Sequence, residues 1–121
     1  MNTKKLAQVF GVVFLLIGIL GFVPGITTTG HLLGIFEVDI LHNVIHILTG
    51  ILALVFAGSA AKMFFKVFGI VYLIVTVVGF VQGDTVLGLI GVNLADNVLH
   101  LVVAAVALYV GFKKDTMVSS M

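Results

Sequence analysis

Four long apolar runs, joined by short polar segments, constrain the fold of this chain more than any other feature. They cover residues 6–23, 40–61, 63–81 and 94–112. A helix of about 18 to 20 residues is roughly 27–30 Å long, which matches the hydrocarbon core of a bilayer. Only 9% of the 121 residues are charged, whereas a soluble domain carries about 25%. The sequence therefore predicts an all-α fold, a four-helix transmembrane bundle whose surface is largely covered by lipid.

The sequence also predicts an internal repeat. Residues 9–13 (VFGVV) match residues 67–71 (VFGIV), 58 positions later, and residues 43–46 (NVIH) match residues 97–100 (NVLH), 54 positions later. Each repeat holds two apolar runs, so both copies are expected to insert in the same orientation, related by a pseudo-two-fold axis along the membrane normal. We therefore expect one transmembrane domain made of two parallel-repeat helical hairpins, with repeat 1 at about 6–61 and repeat 2 at about 63–112.

The placement of charge predicts the orientation in the membrane. No lysine or arginine lies in the loop between the first and second runs, or in the loop between the third and fourth, and both of these loops are acidic. Positively charged residues collect on the cytoplasmic side of a membrane. We therefore predict a multi-pass protein of the cell membrane with both termini in the cytoplasm, the side that carries all six lysines: Lys4, Lys5, Lys62, Lys66, Lys113 and Lys114.

The second and fourth runs open with the same polar pattern. Asp39 and Asn93 are residue types that cap helix N-termini by accepting bonds from free backbone N–H groups. Polar side chains follow three, four and seven positions after each cap, on one face of the helix. They are His42, Asn43 and His46 in the second run and Asp96, Asn97 and His100 in the fourth. We expect the two faces to meet, so that the even-numbered helices form a polar, closely packed centre.

Four interpretations remain open for this polar cluster. His46 and His100 should lie about 10 Å along their helices, at a depth where ionisable side chains face the protein interior. The side chains could bond the helices together, or line a proton path or a small-molecule pocket. His42 and His46, spaced i, i+4, could bind a divalent metal ion that Asp96 or His100 completes. His46 and His100 could instead hold haem b.

These features favour a small structural or accessory component of the cell envelope. No nucleophile elbow, phosphate loop or basic nucleic-acid patch is visible, so enzymatic activity is not favoured and no nucleic-acid partner is expected. The alternatives are a metal- or haem-binding membrane protein that uses His46 and His100, and a small transporter subunit. The lipid bilayer is the expected partner, and glycines at small-xxx-small spacing are compatible with a homo-oligomer or a larger membrane complex. Glu37, whose counterpart in the repeat is Gly91, is interpreted as an interfacial charge.

Three segments carry a resemblance to a known family: residues 33–36 (LGIF), 43–50 (NVIHILTG) and 96–101 (DNVLHL). They resemble a prokaryotic membrane family known as domain of unknown function 4383. The resemblance extends from about residue 6 to residue 112 and implies four transmembrane helices. It implies no activity, cofactor or site residue.

Overall fold

The computed structural model of the chain describes residues 2–113. Within that range the chain forms four helices and two very small β-sheets, which confirms the predicted all-α, four-helix fold. Three of the helices are long and apolar enough to span a membrane, and the shorter α2 has 16 residues. The helices are α1 (Thr3–Leu20), α2 (Ile40–Val55), α3 (Ala61–Gln82) and α4 (Leu94–Phe112). Lys114, which contributed to the predicted orientation, lies outside the described residues.

Helix α2 ends six residues earlier than the sequence predicted. It stops at Val55 and not at residue 61, because the chain turns at residues 56–60 before α3 begins. Gly58 and Ser59 lie in this turn, and both residue types favour turns over helix interiors. The apolar composition of this segment therefore concealed a turn, and α2 is about 24 Å long at the usual rise per residue.

Each loop between the helices of a hairpin folds into a small β-ribbon, which the sequence analysis did not predict. Strands β2 (His31–Leu32) and β3 (Phe36–Glu37) pair in antiparallel fashion, as do β4 (Thr85–Val86) and β5 (Ile90–Gly91), and β1 (Thr27–Thr28) extends the first ribbon. Both ribbons turn through a leucine and a glycine with positive φ: Leu33 (55°), Gly34 (70°), Leu87 (57°) and Gly88 (68°). Two successive positive φ values define the type I′ turn that suits tight hairpins.

The extensive helix contacts among the described residues lie within each hairpin: α1 packs along α2, and α3 packs along α4. Glycines permit this close approach. A Cβ added at Gly50 in α2 would lie 2.6 Å from the carbonyl oxygen of Gly11 in α1. A Cβ added at Gly69 in α3 would lie 2.8 Å from the Leu108 side chain in α4. The expectation that the even-numbered helices pack closely against each other is therefore wrong, because the backbones approach within the hairpins and only side chains meet between α2 and α4.

The bundle has two chemically different ends. The end that carries both β-ribbons holds Glu37, Asp39, Asp84 and Asp96, and we call it the acidic end. At the opposite, lysine end, Lys62 donates a hydrogen bond to the Lys113 carbonyl. Towards this end the interior is filled by small residues and by phenylalanines that contact one another, namely Phe10, Phe64, Phe65 and Phe68.

Candidate functional site

The first turns of α2 and α4 position the polar cluster. The Asp39 carboxylate accepts a hydrogen bond from the His42 backbone N–H at 2.8 Å, and the Asn93 side chain accepts one from the Asp96 N–H at 2.9 Å. These N-caps fix where each helix begins. The side chains at the third, fourth and seventh helical positions consequently point into the bundle, where all six are buried.

Three buried histidines meet at the centre of the acidic half of the bundle. His42, His46 and His100 each offer a ring nitrogen, and these atoms all lie within 4.8 Å of one another. The imidazole centroids are 4.5, 5.6 and 6.0 Å apart, so the rings form a rough triangle. None of the three residues is more than 5% exposed. We call this group the histidine triangle.

The ring nitrogens of the histidine triangle have few partners. Both nitrogens of His42, and Nδ1 of His46 and of His100, are buried without a hydrogen bond from any described residue. Buried polar atoms of proteins are nearly always hydrogen-bonded, and those that are not often mark a bound water or ion. Four buried ring nitrogens of the histidine triangle are therefore available to a bound water or ion.

Aromatic and hydroxyl side chains close the triangle on the side of the lysine end. The Phe14 ring lies 5.5 Å from that of His46, and the Tyr72 ring lies 5.8 Å from that of His100. The Thr49 hydroxyl donates to the Ile45 carbonyl, so the Tyr72 hydroxyl is left to donate to Thr49 at 3.0 Å. Every helix thus contributes a ring to the site, and below this floor the interior becomes apolar.

The β-ribbons close the triangle at the acidic end, and each ribbon contacts the helix of the other hairpin. The Gly91 N–H donates to the second carboxylate oxygen of Asp39 at 2.8 Å. The Asn93 amide donates to the Ile35 carbonyl at 2.9 Å. The caps of α2 and α4 therefore serve a second purpose, because they join the two hairpins over the histidines.

Asp96 does not join the histidine triangle, although the sequence offered it as a metal ligand. Its carboxylate turns back and accepts a hydrogen bond from the Asn93 N–H at 2.9 Å, which completes a capping box. A capping box uses an acceptor at the third helical position. In α2 that position holds His42, whose ring points towards the other two histidines instead.

Asn43 and Asn97 pack against glycines of the neighbouring helix within their own hairpins. A Cβ at Gly21 would collide with the Asn43 amide, and a Cβ at Gly79 would collide with the Asn97 amide. The side-chain oxygens of both asparagines lack a hydrogen-bond donor among the described residues. Each of these oxygens occupies the space that a Cβ of the facing glycine would fill. These two residues thus hold the hairpins together and do not face the triangle.

Sequence reasoning missed the position of Glu37. Its carboxylate lies against Gly91, where a Cβ on that residue would collide with Oε2. The backbones of Glu37 and Gly91 both lie beside the imidazole of His42. The alignment of Glu37 with Gly91 contained the relevant information, since a glycine opposite leaves room for a larger side chain.

The fold and the site together define a class of protein: a four-helix bundle with membrane-capable helices around a buried polar centre. The model of the family described as "Domain of unknown function (DUF4383)" matches residues 4–113. The chain belongs to this family, which confirms the resemblance found in its sequence. No curated protein and no solved structure matches it.

Proposed function

We propose that this protein binds one transition-metal ion inside the helix bundle, at His42, His46 and His100. The observation that carries the proposal is the set of ring nitrogens that lie within 4.8 Å of one another and are buried. Three imidazoles are a common protein ligand set for zinc and for related metals. The chain has no cysteine, so thiolate does not compete and the ligands suit zinc, copper, nickel or iron.

The same geometry favours a single ion over haem. An axial pair made by His46 and His100 would require a porphyrin between two rings whose centroids are 6.0 Å apart. The His42 ring lies 4.5 Å from one of these rings and 5.6 Å from the other. It therefore occupies space that the macrocycle would need, whereas a single ion uses all three rings.

Metal binding also accounts for the histidines better than a purely structural role. Side chains that join helices inside a membrane do so through hydrogen bonds between them. Within the histidine triangle the described residues supply no such bond to Nδ1 of any member. An unpaired buried polar group is destabilising, so histidines that only joined helices would be a poor choice at this place.

The experiment is a metal analysis of the detergent-purified protein and of its three single variants, His42→Ala, His46→Ala and His100→Ala. We expect about one zinc or copper per wild-type chain by elemental mass spectrometry after equilibration with that metal. We expect substoichiometric metal in each variant, because two imidazoles hold an ion far more weakly than three. The control is His31→Ala, since His31 lies in β2 and bonds the Thr29 carbonyl.

Each alternative gives a different result. A metal-free wild type that loses thermal stability in the three variants would establish the structural role instead. A visible Soret band that disappears in His46→Ala and His100→Ala would establish haem. Equal metal in the wild type and in all four variants would place the ion elsewhere.

We further infer that the chain crosses the cell membrane four times, as two repeated hairpins with both termini in the cytoplasm. The separation of the described lysines from the described acids supports this orientation. The matching turns at Leu33 and Leu87, whose φ values are 55° and 57°, support the repeat. Reporter fusions test the orientation: a cytoplasm-specific reporter should be active at residue 59 and inactive at residues 29 and 84. Activity at either ribbon would contradict it.

A further inference from the structure

A divalent ion in the histidine triangle would leave a charge problem. Three neutral imidazoles do not reduce the +2 charge of the ion, and the site lies between apolar helices. An uncompensated charge in such a place is strongly unfavourable. Zinc and similar ions also prefer a fourth ligand beyond three histidines. The proposed metal site therefore calls for one nearby anion.

Two of the carboxylates at the acidic end already have structural tasks. Asp39 accepts from the His42 N–H with one oxygen and from the Gly91 N–H with the other. Asp96 accepts from the Asn93 N–H within the capping box. Moving either side chain to a metal would break bonds that hold the ribbons and helix ends together. Asp84 is exposed before β4 and forms no part of the walls described around the histidines.

Glu37 has no such task. Its carboxylate forms no hydrogen bond with another described residue, and the acidic end has no lysine or arginine to pair with it. The cross-strand neighbour of Glu37 is His31, whose ring bonds the Thr29 carbonyl instead. Glu37 is only partly exposed and its side chain lies against Gly91. The backbones of both residues lie beside the imidazole of His42. The Glu37 carboxylate thus lies against Gly91, one of the two residues whose backbone borders the imidazole of His42.

We propose that Glu37 is the fourth ligand, a carboxylate that turns from Gly91 onto the ion and closes the histidine triangle from the acidic end. This inference rests on the proposed metal-binding function. A bound Glu37 lowers the net charge of the centre to +1 and gives the ion four protein ligands. The absence of a side chain at Gly91 is required in this arrangement, because a side chain there would displace the Glu37 carboxylate.

Cobalt(II) titration of the detergent-purified protein tests the assignment. Cobalt replaces zinc in tetrahedral sites, and the position and intensity of its visible absorption bands report the ligand set. We expect Glu37→Gln to weaken cobalt binding by at least about 100-fold, more than the loss of an outer-shell partner costs, and to shift the visible bands, because the charged ligand is lost. Glu37→Ala should give the same loss of affinity.

The matched control is Asp84→Asn, which removes one negative charge from the same end and should leave both affinity and spectrum unchanged. Unchanged cobalt affinity in Glu37→Gln would overturn the assignment, as would weaker binding with unshifted bands, which would show that Glu37 acts through its charge alone. A wild type that binds no cobalt, zinc or copper would overturn the proposed function itself. The two failures are therefore distinguishable.

Discussion

The two hairpins use the third position of their even-numbered helices in opposite ways. In α4 this position is Asp96, whose carboxylate returns to the cap and bonds the Asn93 N–H. In α2 it is His42, whose ring turns inward and meets His46 and His100. In the second hairpin the residue at this position thus stabilises its own helix, whereas in the first hairpin it points towards the shared centre. The difference shows how a site can arise where two similar hairpins diverge.

Other divergent positions surround the same centre. Glu37 of the first ribbon corresponds to Gly91 of the second under the proposed repeat, and Tyr72 of α3 corresponds to Phe14 of α1. Matching positions serve both purposes. Asn43 and Asn97 pack against equivalent glycines within the hairpins, whereas the matching pair His46 and His100 meets at the centre. The centre therefore combines one repeated pair of histidines with residues in which the two hairpins differ.

The largest expected effect comes from changing the residue at the third helical position, which is His42 in α2 and Asp96 in α4. With free zinc at 100 times the Kd, binding should stabilise the wild type against unfolding by about 2.7 kcal/mol. His42→Ala should abolish that increment, because it removes a ligand. Asp96→Ala should retain the increment but start from a free energy of unfolding that is lower by about 1 kcal/mol, because it loses a cap bond. Thermal unfolding followed by circular dichroism, with and without zinc, measures both.

A zinc increment that disappears in Asp96→Ala and persists in His42→Ala would reverse the assignment of the two residues. Asn2→Ala serves as the control for cap loss, since Asn2 caps α1 by accepting from the Lys5 N–H, at the other end of the bundle. It should lower stability without any change in the zinc increment.

The helices and their order could be predicted from the sequence because long apolar runs leave few structural options. The end of α2 could not, since residues 56–60 are mostly apolar and only Gly58 and Ser59 indicate a turn. The β-ribbons were also missed, because strands of two residues carry no detectable periodicity. Backbone bonds and the type I′ turns define them instead.

The members of the site could be predicted in part from helical periodicity. Spacing alone places His42, His46 and His100 on facing sides of α2 and α4. Spacing could not decide whether the Asp96 carboxylate points to the centre or back to the Asn93 N–H, because the side chain is long enough to reach either one. Nor could it place the Glu37 side chain against Gly91, a contact that exists only because the two ribbons fold next to each other.

The next effect concerns how closely each hairpin packs. Gly50 in α2 aligns with Ala104 in α4 under the proposed repeat, so the first hairpin has a glycine where the second has a methyl group. A Cβ at Gly50 would lie 2.6 Å from both the Gly11 oxygen and the Leu15 nitrogen, which are backbone atoms that cannot move aside. We expect Gly50→Ala to lower the free energy of unfolding by about 2 kcal/mol. Gly58→Ala is the control, because nothing lies within 4 Å of a Cβ there. An equally stable Gly50→Ala variant would contradict the close packing of α1 and α2.

A smaller effect should be equal in the two hairpins. Gly21→Ala and Gly79→Ala each place a Cβ against an asparagine amide. Double-mutant cycles with Asn43→Ala and Asn97→Ala should give coupling energies of about 1 kcal/mol in each hairpin, because removal of the amide makes room for the methyl group. Unequal couplings would show that the two hairpins pack differently at this level, and would weaken the proposed repeat.

The smallest expected effect comes from a variant that removes a difference between α1 and α3. Tyr72→Phe makes α3 resemble α1 at Phe14 and deletes the bond to Thr49, yet the Thr49 hydroxyl keeps its bond to the Ile45 carbonyl. We expect a loss of roughly 0.5–1 kcal/mol in the free energy of unfolding. Thr49→Val should cost more, about 1–2 kcal/mol, because the buried Tyr72 hydroxyl is left without an acceptor. The double variant should then be no less stable than Thr49→Val alone, since it removes the stranded hydroxyl. Additive losses would mean that the two hydroxyls act independently and that the hydrogen bond between α2 and α3 contributes nothing to the floor of the site.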